Sequence, residues 1–215
     1  MNQEDLQNLR QDYSAASLSE TTININPLKQ FDIWFNEAIE AKLHEPNAMT
    51  LATATTDGRP SARIVLLKGY DASGFMFYTN YLSRKGKEIT KNPLAAITFF
   101  WGELERQVRI EGTIEKLSKE QSERYFHTRP KQSQLGAVVS PQSQEIASRD
   151  ILETKMSQLE AEYADKEIPK PSFWGGYVLK PRLIEFWQGR SSRLHDRILY
   201  KKIDNKNWKK VRLAP

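Results

Sequence analysis

A succession of short, alternating strands joined by tight turns constrains this chain more than any other feature. Met49–Thr55, the turn Asp57-Gly58, Ser61–Tyr70, a turn through Asp71 to Gly74 and Phe75–Asn80 follow one another directly. The pattern returns at residues 94–101, 105–117, 174–179, 183–188, 197–203 and 208–213, with Asp204-Asn205 turning the last pair. Strands adjacent in sequence, with few helices between them, argue for an antiparallel barrel or sandwich over a parallel doubly wound sheet. The chain is therefore expected to be mainly β with flanking helices, in the α+β class.

Four segments carry helix signals. Asn26-Pro27 supplies a cap and a first-turn proline, and Leu28, Phe31, Trp34, Phe35, Ala38 and Ile39 then recur at helical spacing. Ser83 caps a short helix that Asn92-Pro93 stops. Ser118 and Gln121 have capping-box spacing ahead of a helix to about His127, and a further helix spans about Arg149–Tyr163. Residues 128–148, rich in Gln, Ser and Pro, form a candidate binding loop with room for a helical turn. Residues 1–25 are polar and aperiodic and read as a mobile arm, leaving 26–215 as a single domain.

Composition narrows the function. With 39% hydrophobic and 27% charged residues the chain has enough apolar content to fold. Its apolar runs fall short of the ~18 residues of a membrane span, and its start lacks a basic, then apolar, leader. A soluble, cytoplasmic protein without a membrane partner is expected. There are no cysteines, which excludes disulfides, thiolate metal sites and cysteine nucleophiles, so redox chemistry would need a cofactor. The net charge of +5 is concentrated at the end: residues 190–215 hold nine Lys or Arg against Asp196 and Asp204. A solvated basic face, a nucleic-acid surface or a site for a small phosphorylated ligand would each account for it.

Neither glycine-rich phosphate cradle occurs, so phosphate would be held by side chains. Three histidines, at 44, 127 and 195, without a His-Glu-x-x-His pattern point to no metal. Several cationic and amide groups remain. Arg63 and Lys68 bracket an apolar strand centre, and in an unbulged strand they face opposite sides; edge cations reaching solvent fit equally. Arg84 and Lys85 stand at a helix start, where free N–H groups favour an anion. Gln107 and Arg109 share the strand face opposite Val108, Ile110 and Ile114. Arg129 and Ser133 lie four apart, with Tyr125 just upstream, and converge on one anion if the chain between is helical or turned. Trp187–Arg197 crowds an aromatic, a glycine, three arginines and a histidine into eleven residues, which an amphipathic strand end with basic decoration would also explain.

Together, Arg63 to Lys68, Tyr78-Thr79, Ser83 to Gly86, Arg129-Pro130 through Ser133-Gln134, Gln142-Ser143 and Trp187 through Arg197 resemble the pyridoxine/pyridoxamine 5′-phosphate oxidase family over nearly the whole chain. The resemblance implies an antiparallel split β-barrel homodimer with FMN at the subunit interface and no nucleic acid. It implies flavin contacts from Arg63, Ile64, Val65, Leu66, Leu67, Lys68, Tyr78, Thr79, Arg84, Lys85, Gln107, Gln142, Ser143, Trp187 and Arg197. The substrate phosphate would fall to Lys68, Tyr125, Arg129 and Ser133; Arg193, Leu194 and His195 would meet the substrate ring, with Arg193 and His195 catalytic; Arg10 and Tyr13 would close over it. The chemistry so implied is hydride loss from C4′ of pyridoxamine or pyridoxine 5′-phosphate to the flavin, giving pyridoxal 5′-phosphate, with dioxygen as the final acceptor.

Overall fold

The structure, a computed structural model, describes residues 2–9 and 12–215. In chain order its elements are α1 (Gln3–Asn8), α2 (Pro27–Glu40), β1 (Ala48–Ala54), β2 (Pro60–Leu66), β3 (Gly69–Asp71), β4 (Gly74–Asn80), α3 (Arg84–Lys91), β5 (Leu94–Trp101), β6 (Arg106–Lys116), α4 (Lys119–Thr128), α5 (Lys131–Val139), α6 (Asp150–Glu162), β7 (Trp174–Gln188), β8 (Asp196–Lys202) and β9 (Trp208–Leu213). The strands join in the order β2-β1-β5-β6-β7-β4-β3, with β8 pairing β7 and β9. The order and the antiparallel pairing are those of a split β-barrel with flanking helices.

The helix starts form as their side chains dictate. Asn26 accepts from the N–H groups of Leu28 and Lys29, Ser83 accepts from Gly86, and Ser118 with Gln121 makes a reciprocal capping box. Such caps each contribute about 1 kcal/mol.

The chain divides into two compact units. Unit 1 comprises residues 1–50, 96–111 and 181–215. Its core is aromatic: Phe31 and Trp34 of α2 pack on Phe99 and Phe186 at ring separations of 5.1 and 5.2 Å, and Phe186 meets Tyr200 edge-on. The buried side of α2 is Pro27, Gln30, Phe31, Trp34 and Ala38, at the spacing expected of one helix face, while Ile39 at the helix end is exposed. The segment after α1 is tied down within this unit. Leu18 and Ile23 are buried, the Leu18 N–H donates to Asp196 Oδ2 at 3.0 Å, and Arg212 binds both oxygens of Glu20 at 2.7 Å. The same guanidinium donates to Asp196 Oδ1 at 2.7 Å and to the Leu18 carbonyl.

Unit 2 comprises residues 51–95 and 112–180. Phe75, Phe77, Tyr177 and Leu179 are fully buried where β4 pairs with the first half of β7. A separate cluster of Phe126, Leu135, Ile168 and Trp174 fixes α4 and α5.

Three segments differ from the sequence expectation. Residues 61–70 are not one strand: β2 ends at Leu66 and β3 begins at Gly69, the Lys68 N–H turning to the Met76 carbonyl. The alternation that put Arg63 and Lys68 on opposite faces therefore does not apply across the break. Conversely, residues 174–188 are one strand rather than two. Pro181 falls in the gap between the pairing with β4, which ends at Leu179, and that with β8, which starts at Leu183. The loop 128–148 contains a nine-residue helix, α5, that starts directly after Pro130 without a side-chain cap.

Candidate functional site

In unit 2, Arg63 of β2 and Arg84 of α3 meet on one acid. Glu88, on α3, is buried and accepts from Thr53 at 2.5 Å, Ser61 at 2.7 Å and Arg84 Nε at 2.9 Å. Arg63 reaches the same carboxylate at 3.4 Å and also donates to Thr53, Ser61 and the Leu51 carbonyl. Lys85, nearly as buried, donates to Thr79 Oγ1 at 3.3 Å and Gln142 Oε1 at 3.0 Å. Thr79 donates to the same Gln142 oxygen at 2.9 Å. Five sequence candidates, Arg63, Thr79, Arg84, Lys85 and Gln142, thus meet within two connected networks.

The electrostatics show a deficit of negative charge. Burial pushes the Glu88 carboxyl upward, yet the bonds from Thr53, Ser61 and Arg84 outweigh it and hold the group at about 2. Burial lowers the proton affinity of Arg63 even with Glu88 alongside. It does the same for Lys85, helped by the charge of Arg63. Arg63 and Arg84 share the one Glu88 carboxylate and Lys85 has only neutral partners, Thr79 and Gln142, so an anion added here would be welcomed. A cavity of about 610 Å³ opens beside Arg84, with Lys87, Lys91 and Ser143 in its lining. Ser143 has a left-handed backbone, φ 70°, a conformation residues other than glycine seldom hold without cause.

A second constellation of unit 2 lies on α4 and α5. Tyr78 and Tyr125 stack at 3.8 Å, and Trp174 lies parallel to Tyr125 at 6.2 Å. The Arg129 guanidinium sits 4.6 Å from the Trp174 ring centre, and its Nη1 is buried with no hydrogen-bond partner among the described residues. Arg129 and Ser133 line a cavity of about 270 Å³ together with Asn80, Gln142 and Trp174. Formation of α5 right after Pro130 brings Ser133 round to Arg129, the turned geometry the sequence spacing required. Tyr125 belongs to the aromatic stack, and Lys68, exposed beyond β2, is not in that cavity's lining. On β2, Ile64 is exposed, Val65 and Leu66 are half-buried and Leu67 is buried.

Unit 1 holds the remaining candidates. Tyr13, Trp187 and His195 form a triangle of rings, 5.8 Å from Tyr13 to each of the others and 4.7 Å between Trp187 and His195. Gly189 permits this: a Cβ there would come within 2.8 Å of Tyr13 Cβ and Cγ. A cavity of about 590 Å³ is lined by Asp12, Tyr13, Arg190, Ser192, Arg193 and His195, with Leu9 at its edge. Ser192 and Arg193 both have positive φ, 53° and 59°, so the backbone presenting Arg193 is strained. Leu194 is exposed beside it. The Arg190 N–H donates to His195 Nδ1 at 3.1 Å. Arg197 stands opposite Trp187 in the β7–β8 register and donates from Nε to Glu185 at 2.8 Å. Gln107 is half-buried on β6, on the face away from the buried Val108 and Ile110. Arg10 lies outside the described residues.

Sequence reasoning missed two acids, Glu88 and Glu185. Each is the lone carboxylate of its element, Glu88 between Lys87 and Ile89 and Glu185 between Ile184 and Phe186. Among the described residues there is no cluster of three potential metal ligands, and no helix long and apolar enough to cross a membrane.

Residues 35–163 match the family model described as pyridoxamine 5′-phosphate oxidase, and residues 174–215 match that of the pyridoxine 5′-phosphate oxidase C-terminal dimerisation region. A curated relative from Nostoc punctiforme, named pyridoxine/pyridoxamine 5′-phosphate oxidase, is 57% identical over 207 residues, covering 96% of this chain and 97% of its own. The solved structure of PhzG from Burkholderia lata 383, in complex with tetrahydrophenazine-1-carboxylic acid, is similar at a TM-score of 0.86 and 32% identity, covering 92% of this chain and 98% of its own. A pyridoxamine 5′-phosphate oxidase-related, FMN-binding protein from Nostoc punctiforme shares the fold at a TM-score of 0.71 and 17% identity, covering 89% of this chain and all of its own.

Proposed function

The chain belongs to the pyridoxamine 5′-phosphate oxidase family, and from that membership we propose how its residues divide the work. It is an FMN-dependent oxidase of pyridoxine and pyridoxamine 5′-phosphates that yields pyridoxal 5′-phosphate, and it forms a homodimer. We place FMN at the dimer interface, with dioxygen as the final electron acceptor.

In unit 2, Arg63, Arg84 and Lys85 take the FMN phosphate, because Arg63 and Arg84 share the single carboxylate of Glu88 and Lys85 is bonded to the neutral Gln142. Thr79, Gln142 and Ser143 complete the cofactor set there, with Tyr78 and the backbone of residues 64–68. In unit 1, Gln107, Trp187 and Arg197 serve the flavin. Bound FMN supplies the hydride acceptor.

Arg129 and Ser133, supported by Tyr125 and Lys68, hold the substrate phosphate. The observation that carries this assignment is the buried, unpartnered Nη1 of Arg129 in a cavity shared with Ser133. A phosphate oxygen would complete that donor by a charge-assisted bond. His195 and Arg193 recognise the pyridine ring. The strained backbone at Ser192 and Arg193 fixes the direction of the arginine before substrate arrives, and Tyr13, with Arg10, covers the ring.

Steady-state oxygen uptake on pyridoxamine 5′-phosphate tests the assignment. Arg193→Ala should lower turnover by more than about tenfold, or ~1.4 kcal/mol, with FMN still bound. Unchanged turnover would remove Arg193 from the reaction.

A further inference from the structure

We propose that Glu185 is a positioning residue for the flavin: it sets the orientation of Arg197 and tempers the charge that Arg197 carries to the cofactor. This rests on the flavin contact proposed above for Arg197.

Glu185 lies on β7 two residues before Trp187, so the two side chains leave the same face of the strand. The β7–β8 register sets Trp187 opposite Arg197 and Glu185 opposite Leu199, which makes Glu185 the diagonal neighbour of Arg197 on that face. The carboxylate is 6% exposed, too buried to be held by water. Its Oε1 accepts from Arg197 Nε at 2.8 Å and its Oε2 from Arg109 Nη1, on β6, at 3.3 Å. Arg109 in turn pairs with Glu111 at 3.0 Å. Two arginines and two carboxylates thus form a neutral group.

Arg197 is fixed at two points of its fork. Nε is taken by Glu185, and Nη1 donates to the Ala214 carbonyl at 3.0 Å. Nη2 keeps its hydrogens for a ligand, since no contact among the described residues takes them. A guanidinium held at Nε and Nη1 has its plane defined, so Nη2 points one way. The bond from Glu185 also raises the proton affinity of Arg197, consistent with close charge pairing.

Removing only the charge of Glu185 has two separable effects. The arginine loses its anchor, which weakens cofactor binding. It also loses its counter-charge, which increases the positive field at the flavin and favours the reduced, more negative cofactor. A carboxylate that merely stabilised the sheet would produce neither shift through Arg197.

The experiment compares purified dimeric wild type, Glu185→Gln, Glu185→Asp, Arg197→Gln and the Glu185→Gln/Arg197→Gln double variant. The FMN dissociation constant is read by flavin fluorescence and the flavin midpoint potential by spectroelectrochemistry. Glu185→Gln should raise the dissociation constant about tenfold and move the potential positive, Glu185→Asp should lie between it and wild type, and the double variant should be no weaker than Arg197→Gln. If Arg197→Gln weakens FMN while Glu185→Gln changes neither quantity, the positioning role is overturned and the flavin contact stands. Additive losses in the double variant also overturn it, because Glu185 would then act without Arg197. If Arg197→Gln itself leaves both quantities unchanged, the flavin contact fails and the positioning role fails with it. Should Glu185→Gln not fold, Glu185→Asp alone decides: wild-type values in both measurements overturn the proposal.

Discussion

The backbone N–H of Arg190 donates to Nδ1 of His195 across five residues of chain, at 3.1 Å. The contact makes Nδ1 an acceptor and puts the proton of the neutral ring on Nε2. His195 therefore meets a ligand as a hydrogen-bond donor. This is the role expected of a group that orients a pyridine ring, and it differs from that of a general base.

His195→Gln, which keeps an amide donor near the place of Nε2, should retain more activity than His195→Phe. The phenylalanine variant should lose about tenfold in kcat/KM, near 1.4 kcal/mol, as a lost hydrogen bond to substrate would cost. Steady-state kinetics on both substrates would check the ranking; equal losses in the two variants would contradict the donor assignment.

Arg129→Ala removes a guanidinium whose Nη1 has no protein partner among the described residues, so little folding energy is expected to depend on that atom. Charge-assisted bonds contribute about 1.5–3 kcal/mol each, which predicts a KM raised roughly 10- to 100-fold for phosphorylated substrate. Arg129→Lys should recover only part of this, because a point charge lacks the planar fork. Kinetics at varied substrate concentration distinguish the two variants from wild type.

Glu88 gives the fold an acid limit. Its carboxyl is held at about 2 in the folded protein, against an ordinary 4.5. A lowered value means that folding is favoured while the group is ionised: the contribution is complete above the ordinary value and is lost as pH falls toward 2. Glu88→Gln should therefore lower the melting temperature at pH 7, and the gap to wild type should narrow between pH 4.5 and pH 2. The pH-dependent part amounts to about 3 kcal/mol. Thermal melts across that range would show it, and a constant gap would count against the assignment.

Gly189→Ala would place a methyl group 2.8 Å from Tyr13 and 3.0 Å from Glu105 Cβ, on a residue whose N–H is already bonded to the Glu105 carbonyl at 2.7 Å. The Tyr13 ring must then move off Trp187 and His195. A KM raised about fivefold or more is expected, since displaced positioning groups cost substrate binding. Unchanged KM would separate Tyr13 from substrate.

Much of this arrangement was legible in the sequence because its causes are local. Ser83, Ser118 and Asn26 announce their helices through bonds spanning two or three residues, and the alternation of Val108, Ile110 and Ile114 reports the buried face of β6 directly. What escaped depends on partners distant in sequence. The break after Leu66 follows from how Lys68 meets Met76, and Pro181 sits where the pairing of β7 passes from β4 to β8. Helix α5 carries no capping side chain to announce it. Arg63, Arg84 and Arg197 were recognisable as cations that need anions; Arg84 meets Glu88 within one helix, but the bonds of Arg63 to Glu88 and of Arg197 to Glu185 emerge only when the strands that bear those arginines are laid in place.

The double grip of Arg212 on Glu20 and Asp196 restricts how this protein can vary. Exchanging the charges of the pair, E20R with R212E, would restore one attraction but set a carboxylate at position 212 against Asp196, which already anchors Leu18 and Arg190. The ordinary neutral route between related sequences, a reciprocal swap of ion-pair partners, is therefore closed here unless Asp196 changes as well. Three positions scattered from one end of the chain to the other can drift only as a set.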